Sequence, residues 1–102
     1  MIEINKVELQ GYIGRVRETK VNDSYVYDLS VATNFSYGNV METTWHTVKV
    51  WSNEQLPWLE KGKGIHIDGR IRTNSYVDQN GNDKHVIYIY SKAENVKLVT
   101  NK

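Results

Sequence analysis

Residues 43–53 read TTWHTVKVWSN and have the two-residue period of a β-strand. Because successive side chains of a strand point to opposite faces, one face of this segment carries Val48 and Val50 and is suited to a core. The opposite face carries two indoles, Trp45 and Trp51. Large apolar rings are costly to leave in water, so we expect a ligand or another chain to cover that face.

Four further segments have strand patterns, and the most regular is GIHIDGRIRT at residues 64–73. Its isoleucines Ile65, Ile67 and Ile71 are predicted to face the core. An Asn80-Gly81 pair follows this strand and is a strong signal for a hairpin turn. The five predicted strands are residues 4–13, 26–33, 39–51, 64–73 and 85–91, and the third is entered through a loop at residues 36–39.

One short helix is predicted between the third and fourth strands. Residues 52–55 (SNEQ) have the spacing of a capping box, Pro57 suits a first helical turn, and Lys61-Gly62 provides a stop. Five strands and one helix in this order predict an all-β fold, a five-stranded Greek-key OB barrel whose open end is closed by the helix. Trp58 is predicted to pack that helix onto the barrel. Bends or bulges are predicted at Gly11, Gly14 and Gly69.

Length and composition restrict the class of protein. A chain of 102 residues suits one domain, residues 1–102. It has no cysteine, and its three histidines have no metal-ligand spacing, so neither a metal nor another cofactor is expected. No apolar stretch is long enough for a signal core or a membrane span, so we expect a soluble cytoplasmic protein without a membrane partner.

Charge and motif patterns narrow the function further. The formal net charge is +1, from 13 Lys and Arg against 12 Asp and Glu, so binding of nucleic acid through bulk charge alone is not expected. Seven tyrosines and three tryptophans stand against one phenylalanine, and rings with a polar atom suit half-wet surfaces. No catalytic triad, carboxylate pair or glycine-rich phosphate loop is present, so neither an enzyme nor a small-molecule substrate is expected.

Seven short motifs, in order along nearly the whole chain, resemble the bacterial single-stranded DNA-binding protein (SSB) family. The most specific are the T-x-W-H element and the G-x-hydrophobic-R-T element that follows it. The motifs are Asn5-Lys6-Val7, Gly11-x-x-Gly14, Val31-Ala32-Thr33, Thr43-x-Trp45-His46, Leu59-x-Lys61-Gly62, Ile67-x-Gly69-x-Ile71-Arg72-Thr73 and Asp78-Gln79-x-Gly81.

The resemblance implies an OB fold in which four aromatic positions stack on exposed bases. All four positions are aromatic in this sequence, although the family usually has Trp, Trp, Phe and Trp there. Cations near such rings contact the phosphates of the bound strand. The resemblance also implies that His46 lies near a subunit boundary. The implied stacking residues are Tyr37, Trp45, Trp51 and Tyr76. The candidates for phosphate contact are Lys6, Arg15, Arg17, Lys49, Arg70, Arg72 and Lys84.

We therefore expect sequence-independent binding of single-stranded DNA that protects it in replication, recombination or repair. The resemblance implies a homotetramer or homodimer in the bacterial cytoplasm, associated with the nucleoid. Family members commonly continue into a flexible linker and an acidic tip, and the sequence ends at Lys102 without either, so an OB domain without the acidic C-terminal tail is expected.

Two alternatives remain open at this point. The first is an accessory module resembling the primosomal replication protein PriB, a dimer that contacts a helicase. The second is a structural subunit in which Trp45 and Trp51 are buried against another protomer, since exposed rings also drive association.

Overall fold

The computed structural model describes residues 1–99, and its regular structure is almost entirely β. A single turn of 3₁₀ helix, Ala93–Asn95, precedes the last strand. Within residues 1–99, no helix has the length and hydropathy needed to cross a bilayer. The strands are β1 (Val7–Val21), β2 (Ser24–Tyr37), β3 (Val40–Ser52), β4 (Gly64–Val77), β5 (Asp83–Lys92) and β6 (Val96–Val99).

The strands form one six-stranded sheet whose pairings close into a circuit. β1 pairs with β2 and with β4, β2 pairs with β3, and β4 pairs with β5, all antiparallel. The circuit is completed by a parallel pairing of β3 with β5. The prediction of five strands was one short, because the four residues of β6 pair with the start of β4 and give little alternating pattern.

The core lies inside this circuit, and the alternation predicted for β3 is confirmed. Val48 and Val50 are fully buried, whereas Trp45 and Trp51 are exposed. The inward prediction for β4 holds for Ile65 and Ile67 but is wrong for Ile71, which is 48% exposed. β4 pairs with β1 only as far as Gly69 and with β5 from Arg70 onward, and beyond Ile71 the two strands form a two-stranded arm that reaches past the core.

Of the three glycines at which bends or bulges were predicted, Gly14 lies in a bulge, and Gly11 and Gly69 lie where strands approach closely. The β1–β2 register shifts between Ile13 and Arg15, so Gly14 lies in a bulge. Gly11 and Gly69 lie where β1 and β4 change partners. A Cβ at either position would clash with a backbone carbonyl oxygen, that of Ala32 or Tyr90, so no larger residue fits.

The helix predicted between β3 and β4 is absent, and residues 53–63 form turns instead. The Ser52 hydroxyl accepts the N–H of Glu54 at 3.0 Å, so the expected cap closes a local turn. Pro57 has no N–H to donate, and Gly62 has a φ of 88°, so fewer than two helical turns could fit between them. Local turn bonds were therefore more favourable than a helix.

The turns between β3 and β4 are nevertheless anchored to the core. Leu56 and Leu59 are buried, and Trp58 packs against the core as predicted, although not from a helix. The phenol of Tyr27 accepts the Leu56 N–H at 2.7 Å and donates to a Glu18 carboxylate oxygen at 2.6 Å. Burial, assisted by that carboxylate, raises the pKa of Tyr27.

Candidate nucleic-acid interface

The side chains that point away from the core form a continuous surface across β1 to β5, referred to below as the outer face. Directly paired positions of an antiparallel or parallel ladder lie on the same side of the sheet. One row of paired positions crosses all five strands in the order β1, β2, β3, β5, β4. This row consists of Arg17, Asp28, Lys49, Tyr90 and Arg70.

Two indoles flank this row on β3. Trp45 is 59% exposed, and its six-membered ring lies directly against Gly14, where any Cβ would clash with it. Trp51 is 36% exposed and is paired with Lys92 of β5. Six residues of strand separate the indoles by about 20 Å, so the outer face is several bases long.

The other two predicted stacking residues lie on hairpin arms. Tyr76 is 52% exposed and shares the outer face with Arg72, because both are separated from Arg70 by an even number of residues along β4. Tyr37 does not share that face, because strand alternation turns it to the side opposite Trp45. Its ring packs edge-on to Phe35, with the centroids 5.7 Å apart, and its hydroxyl donates to Glu42 at 2.9 Å.

The location of Tyr37 also corrects the predicted loop at residues 36–39. β2 continues through Tyr37, and only Gly38 and Asn39 form the turn to β3. Gly38 has a φ of 58°, which a glycine adopts without strain. The structure thus places three of the four predicted stacking rings on the outer face and the fourth near the tip of an arm.

Some of the cations predicted to contact phosphate already form ion pairs with acidic side chains, and others do not. Lys49 forms an ion pair with Asp28, with 2.7 Å between the charged atoms. Lys84 lies 3.9 Å from an Asp78 oxygen. Within residues 1–99, Arg70 and Arg72 form no ion pair with a carboxylate.

The other three cations lie on β1 or just before it. Arg15 and Arg17 follow the bulge, are exposed, and face outward beside Ser30 and Asp28 of β2. Lys6 precedes β1 and is exposed. Its neighbour Asn5 is bonded through its side chain to both the N–H and the carbonyl of Ile71, at 2.9 and 2.8 Å, which holds this segment against β4.

Three residues of the outer face were missed by the sequence analysis, namely Tyr88, Tyr90 and Lys92 on β5. Lys49 lies 5.7 Å from the centre of the Tyr88 ring, and Arg70 and Arg72 lie 5.6 and 5.3 Å from that of Tyr90. The alternation of the two tyrosines with buried Ile89 indicated that they point outward. It could not indicate which cations lie beside them, because that depends on pairing between strands.

His46, the predicted subunit contact, is half-buried, and its Nε2 lies 2.8 Å from the Thr33 hydroxyl. It lines an open groove of about 360 Å³ together with Ile71 and Ile87 of the β4–β5 arm. Both isoleucines are exposed, so the groove has an apolar wall.

Among the residues that the structure describes, one group of metal-ligating residue types occurs, on β1 and β4. The Nε2 atom of His66 lies 3.2 Å from a Glu8 oxygen and 3.7 Å from an Asp68 oxygen, and its Nδ1 lies 2.9 Å from the Gln10 side-chain oxygen. Contacts of the imidazole nitrogens with these carboxylate and amide oxygens account for the geometry, so we assign no metal to it.

Comparisons with known proteins agree with this architecture. The fold matches a solved structure titled "Plasmodium falciparum SSB complex with ssDNA", with a TM-score of 0.80 and 22% identity, over 97% of this chain and 96% of that one. The chain is 35% identical over 91 residues to Single-stranded DNA-binding protein 1 of Chlorobaculum tepidum. That match covers 79% of this chain and 56% of the relative, so the chain spans about half the length of the relative. A family model described as "Single-strand binding protein family" matches residues 4–99, and the chain therefore belongs to the single-strand binding protein family.

Proposed function

We propose that this chain binds single-stranded DNA with little preference for sequence and protects it in replication, recombination or repair. The observation that carries the proposal is the outer face, where exposed indoles lie on the same surface as a row of cations. Stacking of a base on an aromatic ring contributes roughly 1–3 kcal/mol and accepts every base, since all four have a π-face.

In this proposal, bases stack on Trp45 and Trp51 in the body of the sheet and on Tyr76 on the β4–β5 arm. Tyr37 contacts DNA that passes over the tip of its own arm, since its ring faces away from Trp45. The phosphates are contacted by Lys6, Arg15, Arg17, Lys49, Arg70, Arg72 and Lys84. Lys49 contributes fully only when Asp28 releases it.

The closed circuit of β1 to β5 supports assignment of the fold as a Greek-key OB barrel, without the helix predicted between β3 and β4. We place the protein among non-catalytic DNA-binding proteins of the bacterial cytoplasm, associated with the nucleoid. Self-association as a homotetramer or homodimer is part of the proposal, and the groove beside His46 is a candidate contact because its isoleucines are exposed.

Titration of the protein with poly-dT tests the proposal. We expect tryptophan fluorescence to fall as bases cover the indoles, and the affinity to fall as salt rises, because bound phosphates release their counterions. Unchanged fluorescence with no salt-sensitive binding would contradict the proposal.

Light scattering on the same samples gives the oligomeric mass. If the double variant Trp45→Ala, Trp51→Ala keeps its mass and loses DNA binding, the indoles form the binding surface. If the double variant keeps DNA binding but dissociates into smaller species, the indoles form a subunit contact instead.

A further inference from the structure

Two arginines of β4 converge on a single aromatic ring in the centre of the outer face. Arg70 is directly paired with Tyr90, and Arg72 is paired with the neighbouring outward residue, Tyr88. Both guanidinium groups nevertheless lie over the Tyr90 ring, at 5.6 and 5.3 Å from its centre. Arg72 therefore leans along β4 toward Arg70 and lies over the ring paired with Arg70.

This arrangement gathers two like charges beside one ring. Neither guanidinium forms an ion pair with a carboxylate in the described part of the chain. The neighbouring cation, Lys49, has Asp28 as its partner at 2.7 Å. The repulsion between the two arginines falls when an anion binds to both of them, so the pair is suited to a ligand of negative charge.

The surface beside the two arginines has room for such a ligand. Both line one open groove of about 450 Å³, whose other walls are Asn5, Ile71 and Thr73. Within residues 1–99, no acidic residue lines this groove, whereas Asp68 and Glu94 line the adjoining groove that Arg70 shares with Tyr90. The Asn5 amide is already bonded to the Ile71 backbone, which leaves the two guanidinium groups as the charged donors of the groove.

We propose that Arg70 and Arg72 bind one phosphate of the DNA backbone together, and that Tyr90 is the positioning residue that holds them for it. The inference rests on the proposed function, because the phosphate belongs to a single strand whose bases stack on the outer face. A guanidinium that lies on an aromatic ring keeps its N–H donors available at the edge of its plane. The ring therefore orders two flexible side chains before the phosphate arrives, and less conformational entropy is lost on binding.

The salt dependence of poly-dT binding tests whether the two arginines share a phosphate. Each phosphate neutralised on a single strand contributes about 0.7 to the slope of log K against log salt. A shared phosphate predicts that Arg70→Ala and Arg72→Ala together reduce the slope by about 0.7. The ratio of wild-type affinity to double-variant affinity then falls by about 2.6-fold when salt is raised from about 50 to about 200 mM. A reduction of about 1.4, with additive single variants, means two separate phosphates and overturns the shared site.

Variants of Tyr90 test the positioning role. Tyr90→Leu keeps an apolar side chain but removes the π-face, and it is expected to weaken binding by about two- to fivefold at low salt. Tyr90→Phe keeps the π-face and is expected to bind as the wild type does. If both variants bind equally well, or equally poorly, the positioning role is wrong.

The matched control is Lys20→Ala, which removes one exposed positive charge from the side of β1 opposite Arg17. It is expected to leave the slope unchanged. Circular dichroism and oligomeric mass confirm that each variant is folded before its affinity is compared. If the wild type itself shows no salt-dependent binding, the proposed function fails, whereas normal wild-type binding with additive arginine effects overturns this inference alone.

Discussion

Asp28 is the one acidic side chain in the row of paired residues that crosses the outer face, and removing its charge should strengthen DNA binding. Its carboxylate lies 2.7 Å from the Lys49 ammonium, and the two side chains are 34% and 37% exposed. A phosphate that uses Lys49 must first break this ion pair. In the variant Asp28→Asn the lysine is available without that step.

The magnitude follows from the exposure of the pair. Ion pairs this accessible to water stabilise a fold by about 0.2–1 kcal/mol, so DNA recovers about that free energy and binds roughly 1.4- to 5-fold more tightly at low salt. If the ion pair stays closed in the wild-type complex, the variant neutralises one more phosphate and the slope of log K against log salt steepens by about 0.7, whereas the slope is unchanged if DNA already opens the pair. The folded state loses a similar small amount of stability, which urea denaturation measures.

The assay is fluorescence titration with poly-dT at several salt concentrations, with Asp23→Asn as the control. Asp23 is exposed in the two-residue turn between β1 and β2, so its replacement makes the same change in net charge away from Lys49. If Asp28→Asn and Asp23→Asn strengthen binding equally, the effect is one of net charge. An unchanged affinity and slope in Asp28→Asn would refute the reasoning that Asp28 competes with phosphate.

Three further predictions follow from the burial and bonding of single side chains. Trp45→Ala should weaken poly-dT binding by about 5- to 150-fold, the equivalent of one lost stacking contact, while urea denaturation shows little change because the ring is largely exposed. Ile65→Ala should do the reverse, lowering the free energy of unfolding by about 2–5 kcal/mol through a cavity in the core, with the DNA affinity of the folded protein retained. Burial raises the pKa of Tyr27 above its ordinary value of about 10. The neutral phenol therefore contributes its full stabilisation of the fold below about pH 10, and that contribution is lost as the pH rises through the raised pKa. Urea midpoints should therefore fall in strongly alkaline buffer for the wild type and less for Tyr27→Phe, and an equal fall in both would contradict the assignment.

Alternation along a strand predicted the faces of β3 correctly between Trp45 and Trp51, because that half of the strand packs on the core. It failed at Ile71, where the same period continues but β4 has left the core to pair with β5 alone. A period of two reports which residues share a face, and it carries no information on what covers that face. The sequence therefore predicted correctly which side of β4 carries Ile71. It could not show that this side is exposed to solvent at that position.

The prediction of a helix between β3 and β4 was wrong for a different reason. Its capping-box residues, its proline and its glycine each have a known place in a helix, but only a few residues separate Pro57 from Gly62. Nucleation of so short a helix is unfavourable, and the Ser52 hydroxyl bonds within its own turn. The apolar pattern still predicted the packing of Trp58, since burial of that ring does not require a helix.

The placement of acidic groups explains how a chain with a net charge of only +1 can present a cationic surface. Glu18 accepts the Tyr27 hydroxyl and Glu42 accepts the Tyr37 hydroxyl, and both lie on the side of the sheet opposite the outer face, whereas Glu8 and Asp68 lie beside His66 at the β1–β4 end of it. Within the row that crosses the outer face, Asp28 alone opposes three cations, and it is bound to one of them. Because the salt slope counts phosphates in contact rather than net charge, DNA affinity in this protein should depend on salt far more steeply than its composition suggests.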